Sequence, residues 1–165
     1  MSEDIETQNT ETPYVVAALI CERALQEKDG VISLIRLVDT VNTTFTPSSE
    51  EEAAKPTPAI PLALSLFISF RAGPARGKRE IVVHLYDPDG AQKFQTGPYP
   101  MVFTSAEQGH NLNIKMSLAL KNPGVYWIDV VIDGRVVTRL PLTVTLTIRP
   151  PEQTEQPSQN PKTAE

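Results

Sequence analysis

The chain has 165 residues, 40% of them apolar, with 15 prolines and a formal net charge of −5. That length and apolar content predict one domain with a real core, and proline at about twice its ordinary usage argues against long helices. Two histidines and a single cysteine exclude an internal disulfide and leave little for metal or nucleophile chemistry, so no cofactor is expected.

The acidity is local. Residues 1–12, 46–59 and 151–165 carry the excess acids, which leaves the rest of the chain at +3. A mildly basic folded part is too weak a signal for nucleic acid. Residues 1–12 show neither a basic n-region nor an apolar run, so no secretory signal is expected. The longest apolar stretch, Tyr14 to Cys21, is too short for a bilayer. A lone cysteine suits a reducing compartment, and a cytoplasmic location is expected. Residues 1–12 and 150–165 read as disordered acidic tails around a domain at 13–149, and the acidic insert 46–59 as a flexible loop.

In chain order, residues 13–30 fit two patterns. Thr12 and Pro13 suit a helix start, with Val16, Leu19, Ile20 and Ala24 at helical spacing. The preferred reading is a hairpin of two long strands, the second running from Val31 to Thr40. Leu62, Leu64, Leu66, Ile68 and Phe70 then alternate with Ala63, Ser65, Phe67, Ser69 and Arg71, which predicts a strand with one buried face. Ile81, Val83 and Leu85 continue the alternation up to a turn at Asp87-Pro88-Asp89-Gly90. Short strands are expected at 91–95 and 100–104. A further strand carries Leu112, Ile114, Met116 and Leu118. After Asn122-Pro123-Gly124 another carries Tyr126, Ile128, Val130 and Ile132, and a last one runs from Arg135 to about Ile148. The fold class is all-β, an antiparallel two-sheet sandwich.

Leu19-Ile20-Cys21-Glu22-Arg23, then Val31 to Asp39 across a turn, with Gly124-Val125-Tyr126-Trp127-Ile128-Asp129-Val130 and Asp133-Gly134 near the end, resembles a family of small bacterial proteins of unknown function. The resemblance spans roughly 13–148. It implies a cytoplasmic β-sandwich that opens with a hairpin, and it supplies no activity. Gly124-x-Tyr126 also resembles the tyrosine corner of immunoglobulin-like sandwiches, in which the hydroxyl bonds upstream backbone. Ile128 stands where a cysteine often follows.

Each candidate site residue also has a plain structural role. His84 reads as a strand-face histidine. His110 and Glu107 read as loop residues, although the pair has proton- or metal-sharing chemistry. Asp87-Pro88-Asp89-Gly90 lacks the third ligand and the distal Glu of a calcium loop and reads as a turn. Cys21 reads as a buried thiol. Arg71, Arg76, Lys78 and Arg79 form the densest basic stretch, suited to an acidic partner or to the chain's own tails. Trp127 is the best recognition candidate, on the face opposite Tyr126, Ile128, Val130 and Ile132.

Its expected neighbour is Arg139. A two-residue turn at Asp133-Gly134 would point Arg139 into the core. A three-residue turn pairs Val131 with Arg135, Ile128 with Thr138 and Trp127 with Arg139, leaving a cation–π contact on the outer face. That second register is expected, with Pro141 at an edge or break. The favoured function is a non-enzymatic binding or scaffolding module with a protein partner and no membrane role. The alternative is a small-molecule-binding protein or enzyme, its site assembled in the fold around His110, Glu107 and the 71–79 loop.

Overall fold

The computed structural model describes residues 11–150, which form nine strands and one turn of helix. The strands are β1 (Tyr14–Gln26), β2 (Ile32–Leu37), β3 (Thr40–Phe45), β4 (Ile60–Arg71), β5 (Gly77–Tyr86), β6 (Gln92–Phe103), β7 (Gly109–Leu120), β8 (Gly124–Ile132) and β9 (Arg135–Ile148). They make a four-stranded sheet, ordered β2-β1-β4-β7, and a five-stranded sheet, ordered β3-β9-β8-β5-β6. Every pairing is antiparallel except β3 with β9, which is parallel. The chain is all-β, with two sheets.

Between the sheets lie the residues that the alternation marks. Leu66, Ile68 and Phe70 of β4 face Ile81 and Val83 of β5 and Ile128 and Val130 of β8, and all seven are completely buried. Each such side chain contributes about 1.5–3 kcal/mol on leaving water. Tyr126 closes one end of this core. Its hydroxyl donates to the carbonyl of Asn122 at 2.9 Å and accepts from the Asn122 N–H at 3.2 Å, so a buried phenol is fully satisfied.

Residues 13–30 take the strand alternative, but the hairpin is asymmetric. Val31–Thr40 is not one strand. Arg36 adopts a positive φ of 53°, β2 ends at Leu37, and the chain then passes from one sheet to the other. Val38 N–H bonds Ile20 in the first sheet and Asp39 accepts from Thr143 in the second, so these two residues stitch the layers together.

The expectation of one buried face on β4 is too simple, since Ser65 and Phe67 are buried on the other face, with Cys21 beside them. The cause is the far end of the β1–β2 hairpin. Asn113 of β7 donates to the Ala24 carbonyl at 3.3 Å, although β4 lies between those strands in the sheet. That contact requires the end of β1 to bend across the outer face of β4.

The two short strands expected at 91–95 and 100–104 are one strand, β6, with a cis Gly97–Pro98 peptide. Pro98 and Pro100 sit on this edge strand, where a missing donor is tolerated. The 46–59 insert holds a helical turn, α1 (Glu50–Ala53), capped by the Ser49 hydroxyl on the Glu52 N–H. The tails fall largely outside the described residues. Among the described residues no helix is long and apolar enough to cross a membrane.

Candidate functional site: the outer face around Trp127

The β8–β9 pairing follows neither expected register. It begins with a two-residue turn, Ile132 opposite Arg135 and Val131 opposite Val136. Asp133 and Gly134 both have positive φ, 47° and 80°, as a tight primed turn requires. A bulge at Val137 then shifts the ladder by one, so Val130 meets Thr138, Ile128 meets Leu140 and Tyr126 meets Leu142. The bulge lets the chain keep the tight turn and still turn Arg139 away from the core.

Trp127 therefore lies opposite Pro141 on β9, not Arg139, and opposite Tyr86 on β5. Asp129 lies between Arg139 and His84. Arg139 still reaches Trp127 diagonally, its guanidinium carbon 5.8 Å from the ring centroid. The same guanidinium holds Asp129 in a bidentate pair at 2.5 and 2.7 Å. Trp127 is 39% exposed and Asp129 only 2%. A buried carboxylate thus fixes an arginine, which in turn fixes a half-exposed indole. Nearby, the Tyr86 hydroxyl lies 3.4 Å from His84 Nδ1.

Beside this cluster the sandwich is open. β3 pairs with β9 only from Thr143 onward, and β2 pairs with β1 only from Cys21 onward. The first halves of β1 and β9 therefore flank a groove of about 980 Å³, with Arg139 and Pro141 on one wall and Tyr14, Val16 and Leu37 on the other. Tyr14, Val16 and Leu37 are each more than half exposed. Pro141 belongs to the uncovered half of β9. Thr143 N–H points outward to Asp39, and Pro141, two residues earlier, presents its nitrogen the same way, where β3 supplies no acceptor. The expectation of an edge at Pro141 holds, while β9 itself continues unbroken to Ile148.

The basic stretch is elsewhere and is largely engaged with its own structure. Arg76 Nη1 donates to the Gly73 and Ala75 carbonyls, both at 2.7 Å. Lys78 pairs with Glu80 at 3.4 Å, Arg79 pairs with Asp133 at 3.5 Å and reaches the Glu11 carbonyl, and the Arg71 guanidinium lies against Gly109. These residues gather at the Asp133 end of β8, away from Trp127.

His110 and Glu107 share that end, because backbone bonds from Ala72 to Gln108 and from Gly73 to Ala106 join the two loops. His110 Nε2 lies 2.9 Å from the Val102 carbonyl and 3.0 Å from the Gln108 amide nitrogen, with its ring edge-on to Phe103. Glu107 is exposed. Neither residue lines the groove beside β1 and β9. Asp87 accepts from the Asp89 and Ala91 N–H groups and pairs with Lys93 at 2.9 Å, which pulls its carboxyl below the ordinary range. Cys21 is fully buried, and burial raises its thiol above the usual value.

A protein-family profile described as a family of unknown function, DUF6941, matches residues 16–145. The chain belongs to that family. For this DUF6941 chain, no curated protein matches. Among solved structures, a β-glucosidase from Listeria innocua is similar over 68% of the chain at 12% identity, with a TM-score of 0.40. The DUF6941 chain spans 15% of that enzyme's length.

Proposed function

We propose that this DUF6941 chain is a non-enzymatic binding module of the bacterial cytoplasm, and that it holds a protein partner on the Trp127 face and the adjoining groove. The immunoglobulin-like character of the sandwich belongs to the same proposal and rests on the Tyr126–Asn122 corner.

One observation carries the reading. A half-exposed tryptophan lies against an arginine that a buried carboxylate locks, and that arginine itself lines an open groove with apolar walls. Tryptophan and arginine dominate binding energy at protein interfaces, and side chains fixed beforehand lose less entropy on association. The bulge and Pro141 weaken the β9 edge as a strand template, so the partner's apolar side chains carry the contact rather than a full ladder. The alternative around His110 and Glu107 has less support, because Nε2 of His110 is already engaged by Val102 and Gln108 and Glu107 is exposed.

The test is affinity purification of the tagged chain from its source cells, in parallel with Trp127→Ala. A partner enriched with the wild type and lost with the variant supports the reading. The same partners with both proteins would refute it.

A further inference from the structure

β2 and β3 leave one corner of the sandwich bare. β2 pairs with β1 only from Cys21 onward, and the chain then turns at Val38 and Asp39 into β3, which meets β9 at Thr143. Among the described residues no strand pairs with the side of β1 away from β4 between Tyr14 and Leu19. Successive residues of a strand direct their N–H and C=O groups to alternate sides, so every second residue there offers both groups to an added strand.

Other uncovered edges are blunted. β6 carries Pro98 and Pro100, the bare half of β9 carries Arg139, Pro141 and a bulge, and β7 carries Lys115 at mid-strand. β2 and β3 are only six residues each. Proline, lysine, bulges and short length are the usual devices against strand addition. Tyr14-Val15-Val16-Ala17-Ala18-Leu19 has no charge and no proline, and its one bulge, between Val15 and Ala17, leaves the register regular from Ala17 onward. An apolar, β-prone edge of this kind is a template for another strand.

The groove also has a charge at one end. Leu37 to Asp39 stand at its Ile20 end, where Val38 N–H bonds the Ile20 carbonyl. Asp39 is exposed and makes no ion pair among the described residues. Arg139, the other charged residue on the lining, is already held by Asp129.

We infer that the groove takes an extended segment of the protein partner, added to β1 as a short antiparallel strand in line with β2. Alternate apolar side chains of the segment turn into the groove, and a basic residue at its N-terminal end meets Asp39. The inference rests on the partner face proposed above and names what enters it. Antiparallel polarity matches the pairing of β1 with both of its neighbours, and it sets the N-terminal end of the segment at Ile20, beside Asp39. Tyr14 to Leu19 spans about 20 Å at about 3.4 Å per residue, so the ladder is short and adds to apolar contact with Tyr14, Val16 and Leu37.

The probe is the peptide acetyl-KVTVTVT-amide, titrated into the full chain and followed by two-dimensional amide NMR with hydrogen exchange. Saturable shifts are expected at residues 14–20 and 37–39, and alternate amides between 14 and 20 should exchange at least tenfold more slowly in the complex. Methylating the backbone nitrogens of the valines, or those of the threonines, separates the two edges of the added strand. One set should weaken binding at least tenfold and the other should leave it intact. Glutamate in place of the lysine should weaken binding about threefold, and the two peptides should bind alike to Asp39→Asn. No saturable binding at millimolar peptide, binding without new protection on β1, or equal binding of both methylated peptides would overturn the inference. A free chain that sediments as a dimer and is dissociated by the peptide would overturn it too, by assigning the edge to a second copy. The capture comparison with Trp127→Ala tests the partner face separately, so the strand can fail while that face stands.

Discussion

Arg139 holds the buried carboxylate of Asp129 through two guanidinium nitrogens, at 2.5 and 2.7 Å, from the neighbouring strand of the same sheet. The pair sits on the outer face, where a charge with no partner would normally stay in water. Removing one member strands the other, whereas replacing both with apolar groups need not. Arg139→Met should therefore lower the urea midpoint more than the double variant Asp129→Leu/Arg139→Met does. Equal losses would show that the pair adds nothing beyond its packing.

The Tyr126 hydroxyl makes both of its hydrogen bonds to one residue, Asn122. Tyr126→Phe keeps the apolar area and deletes those bonds, so it should cost about 0.5–1.5 kcal/mol by urea denaturation. A neutral result would mean that the Asn122 backbone finds water as readily as the phenol.

Gly124 takes a φ of 136°, and a methyl group there would lie 2.8 Å from both Cβ and Cγ of Pro88. Backbone strain alone should cost Gly124→Ala about 1–3 kcal/mol. The contact adds to it, so Pro88→Ala should restore part of the loss. A double variant no better than the single one would assign the whole cost to the backbone.

Asp87 predicts a pH effect. Lys93 holds its carboxyl below the ordinary range in the folded protein, with backbone N–H groups helping. A folded value below the unfolded one contributes stability that is fully present above about pH 4 and is lost as pH falls through the folded value. The stability gap between wild type and Asp87→Asn should therefore shrink from pH 5 towards pH 2. A constant gap would assign the effect of the substitution to the turn rather than to the charge.

Much of the fold is legible in the sequence, because strand alternation is local. Leu62 to Phe70 and Tyr126 to Ile132 announce their buried faces at period two, and the tight Asp133-Gly134 turn is written in its residues. Features set by distant strands are not legible in that way. The burial of Ser65 and Phe67 depends on a hairpin end bending across β4, which no pattern in β4 records. The bulge at Val137 resolves a conflict between turn type and the placement of Arg139, so neither continuous register anticipates it. Trp127 was findable by its side of the strand, and Arg139 with it. The groove beside them was not, since it exists because β3 covers only half of β9. The charges of 71–79 stood out in the sequence, yet several of them are satisfied by neighbouring backbone and carboxylates.

A protein partner held on the Trp127 side of the sandwich should be open to capture in place. The most direct measurement is photo-crosslinking in the source cells, with benzoylphenylalanine placed singly at Val16 or at Lys115. Val16 is exposed on the wall of the groove, and Lys115 is exposed on β7, at the opposite edge of its sheet. A discrete crosslinked species is expected from position 16, lost when Trp127→Ala is added, and none from position 115. A partner captured from position 115 and not from 16, or a crosslink at 16 indifferent to Trp127, would contradict it.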